Sequence, residues 1–208
     1  MLEIRDLSCV RGDRLLFADL DLSVGPGERV RLLGPNGVGK TTLLRCLCGL
    51  IEPEDGEIRW NGQSIHGARE DFHRQLLYIG HSAALNDLLT PLENLRFTCR
   101  AGTDRVAEQA CVEALERIGL GAQLDLPCRA LSQGQRRRVG LARLFLAGER
   151  RLWVLDEPFN ALDVAAVADL ASSLDAHCAR GGLVVLTTHQ DVSFAHPGRV
   201  VDLGGHAC

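Results

Sequence analysis

Residues 34–41 read GPNGVGKT and match the pattern G-x-x-x-x-G-K-[ST] of a phosphate-binding loop. An apolar run, residues 30–33, precedes them and a helical pattern follows, which gives the order strand, glycine-rich turn, helix. Such a turn directs backbone N–H groups and a helix N-terminus at a phosphate. Lys40 would reach the β- and γ-phosphates, and the Thr41 hydroxyl would bind Mg²⁺. The predicted nucleotide-binding residues of this loop are Gly34, Pro35, Asn36, Gly37, Val38, Gly39, Lys40, Thr41 and Thr42.

A pair of acids, Asp156 and Glu157, follows the apolar run of residues 152–155. Four apolar residues in a row predict a buried strand, whose carboxyl end would bring both acids beside the phosphate loop. Asp156 would hold Mg²⁺, and Glu157 would orient and deprotonate an attacking water. The pair therefore predicts hydrolysis of the bound nucleotide.

The segment LSQGQ, residues 131–135, has the pattern of a helix start. Ser132 is a good N-cap, Gln135 completes an S-x-x-Q capping box, and Gly134 lets a ligand approach the backbone. A helix N-terminus attracts anions, but the same residues also fit a plain helix cap. Residues alone leave both interpretations open.

The elements that must position these residues alternate between strands and helices. Apolar runs and turn residues predict strands at 2–7, 15–24, 30–33, 57–60, 152–155 and 183–187. Helical patterns are expected at 40–50, from Thr90 onward with Pro91 and Glu93 in a capping box, and at 104–118. We predict an α/β fold in one domain of 208 residues, with a core at 1–80 and 149–208 that includes an N-terminal antiparallel β subdomain, and an α-helical subdomain inserted at 81–148.

Composition excludes several classes of protein. The net charge is −4, so no basic surface indicates nucleic-acid binding. The first residues lack the pattern of a secretion signal, and no apolar run approaches the roughly 18 residues of a membrane span. The eight cysteines form no C-x-x-C pair and are expected to be reduced thiols in the core. Trp60 and Phe72 are also expected in the core.

In their order along the chain, these motifs resemble those of the ATP-binding cassette (ABC) ATPases. Residues 160–163, NALD, resemble that family's D-loop, and His189 resembles its switch histidine. The resemblance implies ATP and Mg²⁺ as ligands and a homodimer with two ATP molecules between the subunits. It further implies that Ser132 and Gly134 contact the γ-phosphate bound by the partner, that Asp163 links the two sites, and that His189 contacts the γ-phosphate in its own subunit.

Three positions depart from the family pattern. His81 stands where the family has a glutamine that touches Mg²⁺ and the attacking water, so His81 is a candidate for both roles. Arg11 lies where an aromatic residue usually stacks on adenine, and a guanidinium can stack in its place. Gln133 replaces the first glycine of the LSGGQ motif. The basic triplet of residues 136–138 is typical of a solvated helix face.

Within the family, the chain resembles the ATP-binding subunits of bacterial haem exporters in cytochrome c maturation. The matching stretches are YIGH at 78–81, LT at 89–90 with ENL at 93–95, QRRRV at 135–139, DEPF at 156–159 with DV at 163–164, and LTTHQ at 186–190. The resemblance implies a peripheral subunit on the cytoplasmic side of the inner membrane, paired with integral-membrane subunits of the cytochrome c maturation system. Its ATP hydrolysis would support haem export or release of a haem chaperone.

No motif in the chain itself indicates haem, and we expect no direct haem binding. Two alternatives stay open on the sequence. The ATPase could serve another substrate, such as a lipoprotein, an ion or a small molecule, or the chain could be a nucleotide-dependent regulatory module with little turnover.

Overall fold

The computed structural model describes residues 1–101 and 106–206. The strands are β1 (Leu2–Arg11), β2 (Arg14–Val24), β3 (Arg29–Leu33), β4 (Asp55–Trp60), β5 (Gln63–Ser64), β6 (Leu76–Ile79), β7 (Leu152–Asp156), β8 (Leu183–Thr187) and β9 (Arg199–Asp202). The α-helices are α1 (Lys40–Leu47), α2 (Arg69–Gln75), α3 (Pro91–Ala101), α4 (Glu108–Arg117), α5 (Gln133–Leu141) and α6 (Val164–Ala179). Short 3-10 helices lie at Gly121–Gln123, Cys128–Ala130, Ala142–Leu146 and Leu203–His206.

A parallel sheet forms the centre of the fold, in the strand order β6-β7-β8-β3-β9. Every residue of β7 and β8 is buried, as expected for apolar strands covered on both faces. Along β7, Val154 belongs to one hydrophobic cluster and its neighbours Trp153 and Leu155 to the other. The sheet therefore separates two cores, and its carboxyl ends meet at one edge.

The first core lies between this sheet, α1 and an antiparallel sheet in the order β2-β1-β4-β5. Trp60 and Phe72 are buried in it with ring centroids 6.1 Å apart, as predicted. The second core packs β7 and β8 against α3 to α6. The predicted α/β fold with an antiparallel β subdomain and inserted helices is thereby confirmed.

The helical region begins after β6 and ends before β7. The predicted capping box of α3 is present, because the Thr90 N–H donates to Glu93 Oε2 at 2.8 Å and the Glu93 N–H to Thr90 Oγ1 at 3.2 Å. The limits 81 and 148 of a separate helical subdomain stay a prediction.

Several predicted bounds are wrong for local reasons. Helix α1 ends at Leu47, not at 50, because Gly49 has a φ of +65° and the Leu50 N–H returns to the Arg45 carbonyl. Helix α4 starts at Glu108 because Ala107 is extended; residues 104 and 105 of the predicted helix lie outside the described residues. The elements α2, β5, β6, α6 and β9 were not predicted.

Seven cysteines lie in the described part of the chain; none of them is in a disulfide there, and all seven are buried. This agrees with the predicted role as small core residues, while Cys208 lies outside the described residues. Within residues 1–101 and 106–206, none of the helices has the length and apolar character needed to span a membrane.

Candidate functional site

The phosphate loop connects β3 to α1 in a tightly packed turn. Gly39 is the N-cap of α1 with a φ of +108°, and a Cβ atom there would lie 3.1 Å from the Phe17 ring. Gly34 has a φ of +136°, and its Cβ would lie 2.9 Å from the Val38 side chain. A residue with a side chain would be strained and crowded at either position, which explains why both residues are glycine.

The side chain of Lys40 folds back over this loop. Its Nζ donates to the carbonyls of Gly34 at 2.6 Å and Pro35 at 3.1 Å. The ammonium group therefore lies on the concave side of the loop, next to the N-terminus of α1, where it can meet a phosphate.

A cavity of about 400 Å³ opens beside the loop and brings together most of the predicted site. Its lining residues are Arg11, Leu16, Asn36, Gly37, Gly39, Lys40, Thr41, Thr42, His81, Asp156, Glu157, Asn160 and His189. Three other predicted loop residues, Gly34, Pro35 and Val38, do not line it, and Val38 is buried in the core. The cavity thus collects residues from β1, the phosphate loop, β7 and the segments after β6 and β8.

The carboxylate of Asp156 is buried between two hydroxyl groups. Thr41 Oγ1 donates to Asp156 Oδ2 at 2.9 Å, and Thr187 Oγ1 donates to Asp156 Oδ1 at 2.8 Å. Thr187 is the residue paired with Asp156 in the register of β7 and β8. The two strand ends and the start of α1 therefore hold this carboxylate in one orientation.

Glu157 combines an unusual backbone conformation with a buried side chain that contacts His189. Its φ is +52°, a left-handed conformation, and its N–H donates to Thr187 Oγ1 at 2.9 Å. Its Oε2 accepts from the His189 N–H at 3.3 Å, and His189 Nε2 lies 3.4 Å from Oε1. Oε1 is buried without a hydrogen-bond donor among the described residues. Glu157 is also one of the residues that line the cavity, and a carboxylate there is suited to orient and deprotonate a water.

The remaining predicted residues lie outside this cavity. Ser132 is the N-cap of α5, and its predicted capping box with Gln135 is present. Gly134 lines a second, neighbouring cavity. Asp163 is the exposed N-cap of α6, accepting from the Ala166 N–H at 2.9 Å. One chain therefore does not assemble these three residues with the phosphate loop.

The basic triplet is not a solvated face, and that prediction is wrong. Arg136 donates to the Cys128 carbonyl at 3.0 Å and to Asp87. Arg137 donates to backbone carbonyls at the end of β7, and Arg138 Nε is buried. Arg137 turns toward the carboxyl end of β7, whereas Arg136 turns toward the segments that hold Asp87 and Cys128.

Sequence reasoning also missed two residues of the site, Thr187 and Asn160. Thr187 ends the apolar run of β8, and aligning that run with β7 would have placed it beside Asp156. Asn160 lines both cavities and follows the acid pair by three residues, a position with no distinctive residue-type signal.

Comparison with known proteins agrees with this geometry. A family model described as ABC transporter matches residues 17–160. A putative ABC transporter ATP-binding protein from Pyrococcus furiosus has a solved structure that superposes with a TM-score of 0.82 at 26% identity, covering 100% of this chain and 99% of the other. The chain therefore belongs to the ABC transporter family and is an ATP-binding ABC-type ATPase.

Within that family, the chain is similar over almost its whole length to proteins named cytochrome c biogenesis ATP-binding export protein CcmA. It is 69% identical to the one from Aromatoleum aromaticum, covering 98% of this chain and 95% of the relative. It is 52% identical to the one from Dechloromonas aromatica, covering 93% and 94%. The predicted resemblance to the cytochrome c branch is confirmed.

Proposed function

We propose that this chain is the ATP-hydrolysing subunit of a membrane complex that powers haem export, or release of a haem chaperone, in cytochrome c biogenesis. The observation that carries the proposal is 69% identity over 98% of the chain to a cytochrome c biogenesis export protein. Haem is the group that c-type cytochromes carry. The geometry of the site supports the ATPase half of the proposal, residue by residue.

The carboxyl edge of the sheet fits Mg²⁺. Thr41 Oγ1 and Asp156 Oδ2 lie 2.9 Å apart at the cavity wall, and Mg²⁺ prefers such hydroxyl and carboxylate oxygens, directly or through water. His81 lines the same cavity and is a further candidate ligand. When bound, Mg²⁺ would neutralise charge on the transferred phosphoryl group. Thr41, Asp156 and His81 are therefore the proposed metal residues.

The cavity residues divide the work of hydrolysis. Lys40 and the backbone N–H groups of residues 34–42 hold the phosphates. The Glu157 carboxylate takes the proton of the attacking water, and His189, whose Nε2 lies 3.4 Å from Glu157 Oε1, contacts the γ-phosphate. His81 orients the water, and Arg11, at the rim of the cavity, stacks on the adenine.

A second copy of the chain completes the site. Ser132 and Asp163 are exposed, and Gly134 lines the neighbouring cavity, so each is available to a partner subunit. The capped N-terminus of α5 presents backbone N–H groups and a positive dipole end to the partner's γ-phosphate. Closure of the two copies would exclude water and fix these dipoles around the reacting group.

Membrane partners are proposed to bind beside His81. A cavity of about 350 Å³ there is lined by residues of α3, α5 and the segment after β6, and includes Leu50, which is 56% exposed. Phe97 is 68% exposed on α3, the helix that also supplies residues to this cavity. An integral-membrane subunit of the cytochrome c maturation system would cover this surface and place the chain on the cytoplasmic side of the inner membrane. No haem contact by this chain is proposed.

Replacement of Glu157 by Gln tests the ATPase mechanism. We expect kcat for ATP to fall by at least about 10²-fold, because a general base contributes 10²–10⁴ and the amide cannot accept the proton. ATP binding should persist, since the amide keeps the shape of the side chain. Glu113→Gln is the matched control. Glu113 is exposed on α4, and within the described residues its side chain accepts a hydrogen bond only from Gln109.

The biological half of the proposal has its own test. In a strain lacking the gene for this chain, the wild-type gene should restore covalently bound haem in c-type cytochromes, and Glu157→Gln should not. A wild-type ATPase that leaves cytochrome haem content at the level of the deletion strain would contradict the haem role while leaving the ATPase assignment intact.

A further inference from the structure

Arg137 on α5 joins three backbone carbonyls from two separate segments. Its Nη2 donates to the carbonyls of Asp156 at 2.7 Å and Glu157 at 2.5 Å. Its Nη1 donates to the carbonyl of His81. One guanidinium group therefore connects the end of β7 with the segment after β6, both of which supply residues to the ATP cavity.

The Glu157 carbonyl is one of two groups that fix a strained backbone. Glu157 has a φ of +52°, and a non-glycine residue keeps such a conformation only where its surroundings determine it. On the amino side, the Glu157 N–H donates to Thr187 Oγ1 at 2.9 Å. On the carbonyl side, the donor with the shortest distance is Arg137. The two hydrogen bonds flank the strained residue and set the direction of its side chain.

Arginine suits this position better than lysine. The guanidinium is planar with donors fixed in a fork, so it can serve carbonyls on two sides, whereas a lysine ammonium is a compact point donor. Burial lowers the pKa of Arg137, and the nearby charges of Asp156 and Glu157 oppose that shift. Arginine stays protonated under such conditions, so the contacts persist at any ordinary pH.

We infer that Arg137 is a positioning residue for ATP hydrolysis, which holds the backbone of Glu157 so that its carboxylate points into the cavity. The inference rests on the proposed role of Glu157 as the base. Arg137 does not line the cavity beside the phosphate loop; it acts through Glu157 and, by its third contact, through the segment of His81.

The position of Arg137 on α5 adds a consequence. The same helix begins at Ser132 and Gly134, the residues proposed to meet the partner's nucleotide. A displacement of α5 therefore pulls directly on the Glu157 carbonyl. Arg137 therefore links two events. One is the contact of the start of α5 with a second copy of the chain, and the other is the alignment of Glu157 in the first copy.

The test compares Arg137→Gln with Arg136→Gln in the full chain. Both variants remove one positive charge from the same helix, but Arg136 contacts the Cys128 carbonyl and Asp87, away from the acid pair. For Arg137→Gln we expect kcat to fall by at least about tenfold, since small misplacements of reacting groups cost up to 10²-fold, while KM for ATP stays within about twofold. Arg136→Gln should keep both values.

Two further variants keep the outcome decisive. Arg137→Lys should also lose kcat at unchanged KM, because the ammonium cannot span the three carbonyls; it decides the question if Arg137→Gln does not fold. If the folded Arg137 variants kept the wild-type kcat while Glu157→Gln was inactive in the same assay, the inference about Arg137 would be overturned and the proposed function would stand. Loss of ATP affinity in parallel with kcat would also overturn it, and wild-type turnover by Glu157→Gln would overturn the proposed function as well.

Discussion

Both edges of the parallel sheet carry a polar cavity, and the two cavities have different roles. At the carboxyl ends of β7 and β8, a cavity of about 400 Å³ contains two buried carboxylates, with Glu157 Oε1 lacking a donor among the described residues. At the amino ends, a larger cavity of about 840 Å³ has among its lining residues one acid, Glu149, against four arginines and a histidine: Arg74, Arg150, Arg151, Arg180 and His177. The larger and more basic cavity is not where the predicted chemistry converges.

His189 lies at the carboxyl edge and His177 at the amino edge, and the surroundings of these two side chains differ. His189 is 58% exposed at the first edge, beside an acid that is almost completely buried. His177 is buried at the second edge, stacked on Trp153 at 3.8 Å, with Nε2 3.1 Å from the Arg151 carbonyl. Burial lowers the pKa of His177 to about 4, with backbone hydrogen bonds opposing the shift. We conclude that the first histidine is available for chemistry and the second holds α6 against the sheet.

Of the substitutions that distinguish the two edges, replacement of His189 is expected to have the largest effect on kcat. Replacement by Gln should lower kcat by about 10²-fold, the scale for loss of one stabilising donor at a developing charge. The thermal midpoint at pH 7.5 should stay within a few degrees, because the ring is exposed. Steady-state ATPase assays and calorimetry on one preparation measure both, and a variant with normal kcat would remove the distinction between the two histidines.

A smaller effect, on stability, is expected at His177. Because its pKa is about 4 when folded and 6.5 when unfolded, the unfolded chain binds more protons between these values, so stability falls as the pH drops from 6.5 to 4. The loss attributable to this residue by pH 4 is about 3 kcal/mol. Denaturant titrations should show a shallower pH dependence for His177→Gln, with kcat near the wild-type value at neutral pH.

An unchanged pH dependence in His177→Gln would mean that other groups account for the acid sensitivity. A large loss of kcat in the folded variant would mean that the amino edge contributes to the reaction. Either result would contradict the division of roles between the edges.

The smallest effect is expected at His81. Glutamine is the usual residue of the family at this position, so His81→Gln should change kcat by no more than about threefold, whereas His81→Ala should lower it about tenfold by removing the polar group that orients water. Parallel ATPase assays of the two variants give the comparison. Equal activities of Gln, Ala and wild type would show that this side chain does not contribute.

The sequence predicted the carboxyl edge better than the rest of the molecule. Local sequence patterns define the phosphate loop, the acid pair and both capping boxes. Each residue type in these patterns has one main structural or chemical role. The strand β6 and the helix α2 were missed because LLYI is only four residues long and α2 buries only Phe72. The inward turn of Arg137 could not be predicted, because its acceptors lie 19, 20 and 56 residues away along the chain.

The proposed mechanism requires two copies of the chain that share ATP, bound between the phosphate loop of one copy and the start of α5 of the other. Light scattering of Glu157→Gln, with and without saturating MgATP, tests this directly. We predict twice the monomer mass with MgATP and the monomer mass without nucleotide, with Ser132→Arg in the same background abolishing the change. A monomer at saturating MgATP, with binding of the nucleotide confirmed in the same sample, would contradict the account.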